Sequence, residues 1–268
     1  MIPDEVKERA AQQLYELVGA FFTNTSRGPG RCQVCTGPAV EPLCTQCSNW
    51  HDVYGADLAD LVVPLAYAKG YMSPLHQSAH HVTQYKNRIQ PSAECQRDLA
   101  LMVRVATLLH GECIAATAGW WDVLTFVPSA GRPGVAHPVV DLARAVAPLN
   151  PAPTKVLLDL GPDISSGPAR YPLPHRFVVP EEYAPKVAGQ HVLVVDDTWV
   201  SGDKPQSAAL ALRAAGARTV TLLLVARWLN WNYNEQHKKL ISSLKEPYDA
   251  RQCPVTGDAC PTSVSHSR

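Results

Sequence analysis

Apolar positions in the C-terminal half of the chain form two continuous runs that flank an alanine-rich segment. Residues 191–195 read His-Val-Leu-Val-Val, and residues 219–226 form the second run. Between them, residues 205–215 carry apolar side chains at helical spacing and end before Gly216. Two continuously apolar strands joined by a helix predict a βαβ unit in a parallel sheet that is covered on both faces.

The middle of the chain repeats this order of strand, loop and helix. The expected strands lie at residues 61–71, 121–127 and 154–160, with an edge strand at 176–179, and the expected helices lie around 99–108 and at 138–147. This pattern predicts an α/β fold with a Rossmann-like parallel sheet. Ligands of such sheets bind at the carboxyl ends of the strands.

Four segments are expected along the chain. Residues 1–30 form an amphipathic helix and a linker, 31–50 a small cysteine module, 51–230 the main domain, and 231–268 a helix followed by a Pro/Ser-rich tail. We expect the tail from 247 onward to be loosely ordered.

Composition narrows the classes of function. The chain has 268 residues, and its 24 basic side chains balance its 24 acidic ones. A neutral chain lacks the broad positive field of a strong DNA-binding protein. The first residues mix acidic and basic side chains, and no apolar run approaches the roughly 20 residues of a membrane helix, so we expect a cytoplasmic protein without a membrane span.

Two adjacent carboxylates, Asp196 and Asp197, follow the 191–195 run, and Ser201-Gly202 then precedes the alanine-rich helix. A helix N-terminus presents free N–H groups, which together with a glycine and a hydroxyl can cradle a phosphate. Paired carboxylates instead suit ribose hydroxyls and the Mg²⁺ that accompanies a diphosphate. The simpler alternative is a solvated acidic turn.

Four cysteines lie close together near the N-terminus with the spacing Cys-x2-Cys-x8-Cys-x2-Cys. They are Cys32, Cys35, Cys44 and Cys47. Two such knuckles predict a tetrahedral Zn²⁺ site, and four thiolates leave no open position, so the metal is expected to be structural. An iron–sulfur cluster is the minor alternative.

In the C-terminal half of the chain, an apolar run is followed by Asp196-Asp197 and, after three more residues, by Ser201-Gly202. This order resembles the 5-phosphoribosyl-1-diphosphate signature of type I phosphoribosyltransferases. With the cysteine module in front, residues 31 to about 227 are similar to the ComF family of competence-associated proteins. The resemblance implies the type I phosphoribosyltransferase fold and Mg²⁺-dependent transfer of a phosphoribosyl group to a nitrogen acceptor. The alternative that the resemblance leaves open is a non-catalytic protein that binds a nucleotide or handles single-stranded DNA. The protein could also form a homodimer.

The same resemblance assigns residues to roles. Asp196 and Asp197 become the catalytic pair that fixes the ribose, and the loop 128–134 becomes a diphosphate loop. The implied ligand-binding residues are Thr198, Ser201, Gly202, Asp203 and Lys204 after one strand, and Ser129, Ala130, Gly131 and Arg132 after the other. The chain departs from the family pattern at Asp203, Lys204 and Pro205, where small or hydroxyl residues are usual.

Three other groups invite a chemical role. Lys86 and Arg88 could add positive charge to a phosphate site, although a solvated face is the favoured interpretation. The cluster His76, His80 and His81 is interpreted as surface, because no cysteine or carboxylate with ligand spacing joins it. Cys253 and Cys260 could form a disulfide or half a metal site, and an incidental or redox-labile pair is favoured.

Overall fold

A computed structural model of the chain describes residues 3–129, 131, 137–165 and 170–261. Its strands are β1 (Thr23–Asn24), β2 (Leu61–Gly70), β3 (Val123–Phe126), β4 (Thr154–Lys155), β5 (Asp159–Leu160), β6 (Phe177–Val178), β7 (His191–Trp199) and β8 (Thr219–Asn230). Six of them form a sheet in the order β1-β2-β8-β7-β3-β4. Only the β1–β2 pair of that sheet is antiparallel. The predicted α/β fold with a mostly parallel sheet is therefore confirmed.

The helices lie on both faces of this sheet. They are α1 (Asp4–Val18), α2 (Thr45–Tyr54), α3 (Gln77–Gln84), α4 (Ala93–Ala118), α5 (Val139–Arg144), α6 (Ala184–Val187), α7 (Asp203–Ala214) and α8 (Glu235–Ser243). The predicted helices within 1–30 and 231–268, and those at 99–108, 138–147 and 205–215, each correspond to one of these.

The sheet separates two apolar cores, and β7 contributes to both. Leu193 and Val195 face the core that contains α1, α4 and α5, whereas Val192 and Val194 face the core that contains α7 and the cysteine module. Side chains that alternate along a strand and are apolar on both faces explain the continuous apolar run in the sequence. Burying each such side chain stabilises the fold by about 1.5–3 kcal/mol.

The segment 154–160 is not the single strand that its sequence predicts. Its first part, β4, pairs with β3 in the main sheet, whereas β5 pairs with β6 as a separate antiparallel ribbon. The predicted edge strand at 176–179 therefore exists as β6, but in the smaller sheet.

The long helix α4 is apolar enough to resemble a membrane span. Among the described helices it alone has an 18-residue window with a mean hydropathy of 1.5, and 56% of that window is buried inside the protein. Its residues Leu99, Met102 and Val103 are fully buried in the core with α1. We therefore interpret α4 as a core helix.

The segment 247–261 is packed against the fold, and the expectation of a loose tail is wrong for this part. Tyr248 and Cys253 are buried in the α4 core. The backbone N–H of Tyr248 donates to the carbonyl of Phe22 at 3.0 Å, and Asn24 and Asp249 exchange two further hydrogen bonds. The sequence pattern missed this because the segment buries isolated side chains without helical or strand periodicity.

Candidate functional site

The two carboxylates Asp196 and Asp197 lie within β7, which continues beyond the predicted strand end to Trp199. Asp196 is in register with Leu224 of β8, so this neighbour holds the backbone in strand geometry. Both carboxylates are buried, and both line a cavity of about 510 Å³. The interpretation of the pair as a solvated turn is therefore wrong.

Asp197 is held by two residues that follow α3. The Tyr85 hydroxyl and the Lys86 ammonium group both donate to its Oδ2, the latter at 2.9 Å. Tyr85 is buried, whereas the Lys86 side chain is 37% exposed and lines the cavity. The interpretation of Lys86 as part of a solvated face is corrected, because Lys86 lies at the edge of the site with its charge paired.

The two carboxyl groups differ in their proton affinity. Burial, together with the adjacent charge of Asp197, raises the pKa of Asp196 to about 8. Burial also acts to raise the pKa of Asp197, but the charge of Lys86 and the hydrogen bond from Tyr85 outweigh it, so the pKa of Asp197 is lowered. Asp196 therefore holds its proton more tightly than Asp197 does.

The N-terminus of α7 opens onto the same cavity. Gly202 precedes the helix with φ +88°, in the left-handed region, and a Cβ added there would lie 2.1 Å from the Trp199 ring. Glycine is therefore required for this backbone path. No side-chain hydrogen bond caps the helix, and Asp203 and Lys204, the first two residues of α7, both line the cavity. Their backbone N–H groups suit an anion, whereas Pro205, the third residue, has no N–H to offer.

The loop between β7 and α7 is fixed from β8. The buried guanidinium group of Arg227 donates to the carbonyl oxygens of Trp199 and Val200, at 3.0 and 2.8 Å. These two hydrogen bonds anchor the backbone of the loop to β8.

Asp203, the residue that departs from the family pattern, is paired. Its carboxylate accepts hydrogen bonds from the buried Arg176 and from the Ser201 hydroxyl. The pairing with Arg176 offsets the negative charge of Asp203 at the head of α7. It also engages the hydroxyl that the sequence assigned to phosphate binding.

The loop after β3 meets the loop after β7 at one edge of the sheet. Phe126 is in register with Val195, and Ser129 lines the cavity. Gly131 lies against Arg88, since a Cβ added to Gly131 would be 2.3 Å from the Arg88 guanidinium group. Arg88 therefore lies next to the predicted diphosphate loop. Ala130 and Arg132 lie outside the described residues.

The structure thus places Thr198, Ser201, Gly202, Asp203, Lys204 and Ser129 around one cavity with the two aspartates. The sequence did not predict the pairing of Arg176 with Asp203 or the contact of Tyr85 with Asp197. For this region the one available signal was Lys86, which the sequence offered as positive charge for a phosphate site.

The surface interpretation of the histidine cluster holds for His80, which is exposed, and fails for His81. His81 is buried, and its Nε2 lies 3.3 Å from Oδ2 of the buried Asp98. The sequence missed this partner because Asp98 comes from the next helix, α4.

The four cysteines of the N-terminal module come together. Their Sγ atoms all lie within 4.8 Å of one another, and those of Cys35 and Cys44 are 3.8 Å apart. Four sulfurs around a tetrahedral Zn²⁺ with bonds of about 2.3 Å would be about 3.8 Å apart, so the cluster fits this ion. Cys32, Cys35 and Cys47 share an apolar core with Trp50 and Trp199, so the module packs directly beneath the β7–α7 loop.

A second depression of about 570 Å³ adjoins the first, since Val200 and Ser201 line both. Its walls are rich in aromatic side chains, including Trp50, Trp228 and Tyr171. Aromatic walls suit a flat apolar or heteroaromatic group.

No protein-family model matches the chain, and no curated protein matches it. Among solved structures, the hypoxanthine phosphoribosyltransferase of Staphylococcus aureus is similar over 49% of this chain and 64% of its own, with 11% identity and a TM-score of 0.32. The match thus spans less than two thirds of that enzyme.

Two further solved structures are similar at the same level. The orotate phosphoribosyltransferase of Mycobacterium tuberculosis, in complex with Fe(III) dicitrate, is similar over 82% of this chain and 95% of its own, with 16% identity and a TM-score of 0.32. A phosphoribosyltransferase from Corynebacterium diphtheriae is similar over 51% and 84%, with 20% identity and a TM-score of 0.28. The structural neighbours are thus phosphoribosyltransferases, but scores this low do not assign the chain to a family.

Proposed function

We propose that this protein binds 5-phosphoribosyl-1-diphosphate with Mg²⁺ in the 510 Å³ cavity and transfers its phosphoribosyl group to a nitrogen acceptor. The observation that carries the proposal is the convergence of two buried carboxylates with an open helix N-terminus. Asp196 and Asp197 lie at the carboxyl end of a parallel strand, and Gly202 begins the helix on the other side of the same cavity.

Each part of the cavity suits one part of this ligand. The carboxylates of Asp196 and Asp197 accept hydrogen bonds from the ribose hydroxyls, and the N–H groups of the first turn of α7 bind the 5′-phosphate. Lys86 and Arg88 line the cavity and would supply positive charge to the diphosphate. Mg²⁺ would neutralise charge on that diphosphate, and carboxylate oxygens such as those of Asp196 and Asp197 are suitable ligands for it.

The chemistry requires stabilising a departing diphosphate while the anomeric carbon gains positive character. Lys86 and Arg88 provide positive charge for the leaving group, and Asp196 and Asp197 hold the ribose ring beside it. The aromatic depression that shares Val200 and Ser201 with the cavity is the proposed seat of a nitrogenous acceptor.

A non-catalytic protein of the ComF-like kind is the second candidate, and Asp203 favours it. This carboxylate engages the Ser201 hydroxyl at the head of α7, so one donor to the phosphate is already occupied. Such a protein would bind a nucleotide or assist in handling single-stranded DNA. The formal net charge of zero disfavours strong binding to DNA.

We further propose that Cys32, Cys35, Cys44 and Cys47 hold a structural Zn²⁺. The 3.8 Å separation of the Cys35 and Cys44 sulfurs supports this ion. Because the module packs beneath the β7–α7 loop, the ion would also support the phosphate-binding backbone.

Calorimetric titration of 5-phosphoribosyl-1-diphosphate, with and without Mg²⁺, tests the proposal. We expect the full chain to bind and the Asp196→Asn/Asp197→Asn variant to lose binding by at least about 100-fold, since two carboxylates that hold the ribose are removed. An Asp52→Asn/Asp57→Asn variant makes the same two substitutions at exposed positions and should bind as the wild type does.

Release of diphosphate across a panel of nucleobases separates the two candidate functions. Release that depends on one base establishes the transferase. Tight binding without release from any base supports the nucleotide-binding protein, and binding of single-stranded DNA that weakens with salt supports the DNA-handling role. Absence of binding to the wild type would overturn the proposal.

A further inference from the structure

Four side chains with metal-binding atoms meet on the opposite face of the sheet from the first cysteine cluster. They are His110 and Cys113 of α4, and Cys253 and Cys260 of the C-terminal segment. We propose that they form a second structural Zn²⁺ site, which fastens the C-terminal segment to α4. The proposal is independent of the function of the cavity.

The distances match a tetrahedral ion. The Nδ1 atom of His110 lies 3.8 Å from Sγ of Cys113 and 3.5 Å from Sγ of Cys260, and all four ligand atoms lie within 4.8 Å of one another. Bonds of about 2.3 Å to sulfur and about 2.0 Å to nitrogen at tetrahedral angles would separate these atoms by about 3.5 Å. One ion at the centre would therefore reach all four.

The imidazole of His110 is oriented for this role. Its Nε2 lies 2.8 Å from the carbonyl oxygen of Ala250, and it therefore carries the proton and donates to that oxygen. In this tautomer Nδ1 has a free lone pair that faces the three sulfurs. A second hydrogen bond that fixes the tautomer is the usual support of a metal-binding histidine.

The backbone turn at Cys253 has the same hydrogen bond as the turn at Cys32. The carbonyl of Cys253 accepts from the N–H of Gly257 at 2.8 Å, and the carbonyl of Cys32 accepts from the N–H of Thr36 at 2.9 Å. Gly257 and Thr36 both have positive φ, +81° and +56°. Each cluster thus has one cysteine, Cys32 or Cys253, that begins a tight turn.

The site brings together parts of the chain that are far apart in sequence. His110 and Cys260 are 150 residues apart in sequence, and Cys113 and Cys253 are buried in the α4 core. Three sulfurs and one nitrogen leave no position for water, which indicates a structural ion and not a catalytic one. From Leu244 to the last described residue, Pro261, the segment has no α-helix or strand, so a metal would replace the regular hydrogen bonding that it lacks.

Redox pairing is the competing use of these cysteines. None of the described cysteines is in a disulfide. A disulfide would use two of the sulfurs and leave His110 Nδ1 without a role, whereas the metal uses all four atoms. The favoured sequence interpretation of Cys253 and Cys260 as an incidental pair is therefore replaced by this proposal.

The test is the zinc content per chain of full-length protein purified under reducing conditions without chelator, measured by inductively coupled plasma mass spectrometry. We expect two equivalents in the wild type. Cys260→Ser, at the partly buried ligand, should retain about one, and Cys32→Ser/Cys35→Ser should also retain about one. Cys95→Ser replaces a buried cysteine outside both clusters, so this matched control should retain two.

A second measurement distinguishes loss of a metal ligand from loss of the ion through unfolding. After replacement of zinc by Co²⁺, the Cys32→Ser/Cys35→Ser variant should still show thiolate-to-cobalt charge-transfer absorption, and adding Cys260→Ser should remove it while circular dichroism is retained. One equivalent of zinc in the wild type, unchanged in Cys260→Ser, would overturn the proposal. So would peptide mapping that finds Cys253 disulfide-bonded in the zinc-containing protein.

Discussion

Arg176 pairs with Asp203 at the first residue of α7, and both side chains are largely buried. The pair resolves a conflict that the sequence leaves open, because a carboxylate beside a phosphate seat would repel the phosphate. Arg176 carries the compensating charge, from 27 residues earlier in the chain.

Asp203→Asn should therefore have opposite effects on ligand affinity and on the stability of the fold. We expect tighter binding of 5-phosphoribosyl-1-diphosphate, by about threefold to tenfold, since a negative charge is removed near the phosphate. The free energy of unfolding should fall by about 1–3 kcal/mol because Arg176 loses its charged partner. Calorimetry and denaturant titration measure the two effects.

Asp141→Asn is the control for this change. Asp141 pairs with Arg144 on the exposed surface of α5, so its loss should cost less than about 1 kcal/mol. Weaker binding by Asp203→Asn would contradict the view that this carboxylate hinders the phosphate.

The raised pKa of Asp196, about 8, predicts pH-dependent binding. The folded protein holds this proton at neutral pH, and a ligand that needs the carboxylate must displace it. Affinity should therefore increase with pH, by at most about tenfold per unit, and level off above pH 8. Calorimetry in buffers of different ionisation enthalpy counts the released proton.

The same group makes the free protein less stable at higher pH. The folded pKa lies above the unfolded value of about 4, so the free energy of unfolding should fall as pH rises from about 4 towards 8. Asp196→Asn should remove this component of the slope. An unchanged slope in the variant would show that Asp196 titrates at its ordinary pKa.

Lys86→Met should weaken binding of 5-phosphoribosyl-1-diphosphate by about tenfold, because it removes a positive charge that lines the cavity. The pKa of Asp197 should also rise, since the charge of Lys86 is a principal cause of its lowering. Lys238→Met removes a lysine from an exposed pair with Glu235 and is the matched control. Equal affinity of the two variants for 5-phosphoribosyl-1-diphosphate would show that Lys86 does not contribute to binding.

Gly202→Ala should abolish binding, because the new Cβ meets Trp199 and the positive φ is strained. Gly189→Ala introduces the same kind of strain at φ +75°, but with nothing within 4 Å of the new Cβ. It should lose about 1 kcal/mol of stability and keep its affinity. Binding by Gly202→Ala at the wild-type level would show that the α7 N-terminus is not the phosphate seat.

Tyr248→Ala should destabilise the fold by about 3–5 kcal/mol, as expected for a large side chain removed from a core. Tyr233→Ala, at a residue that is 60% exposed, should change stability by about 0.5 kcal/mol or less. Thermal unfolding of both variants provides the comparison. A small effect at Tyr248 would restore the view of the C-terminal segment as loosely attached.

Much of the fold could be predicted because the information is local. The apolar runs of β7 and β8 and the alanine-rich α7 follow from burial on both sides of a parallel sheet, and that burial leaves a periodic trace in the sequence. The four-cysteine cluster was equally predictable, because two Cys-x2-Cys knuckles hold their ligands within one short segment.

The sequence alone determined the layout of the sheet units, the position of the carboxylate pair along the chain and the N-terminal cysteine cluster. Only the tertiary structure decided which side chains meet them: Tyr85 and Lys86 at Asp197, Arg176 at Asp203, and His110 among the C-terminal cysteines. These partners come from other elements, and no periodicity records their contact. They meet because the packing of the helices on the two faces of the sheet fixes which distant residues become neighbours.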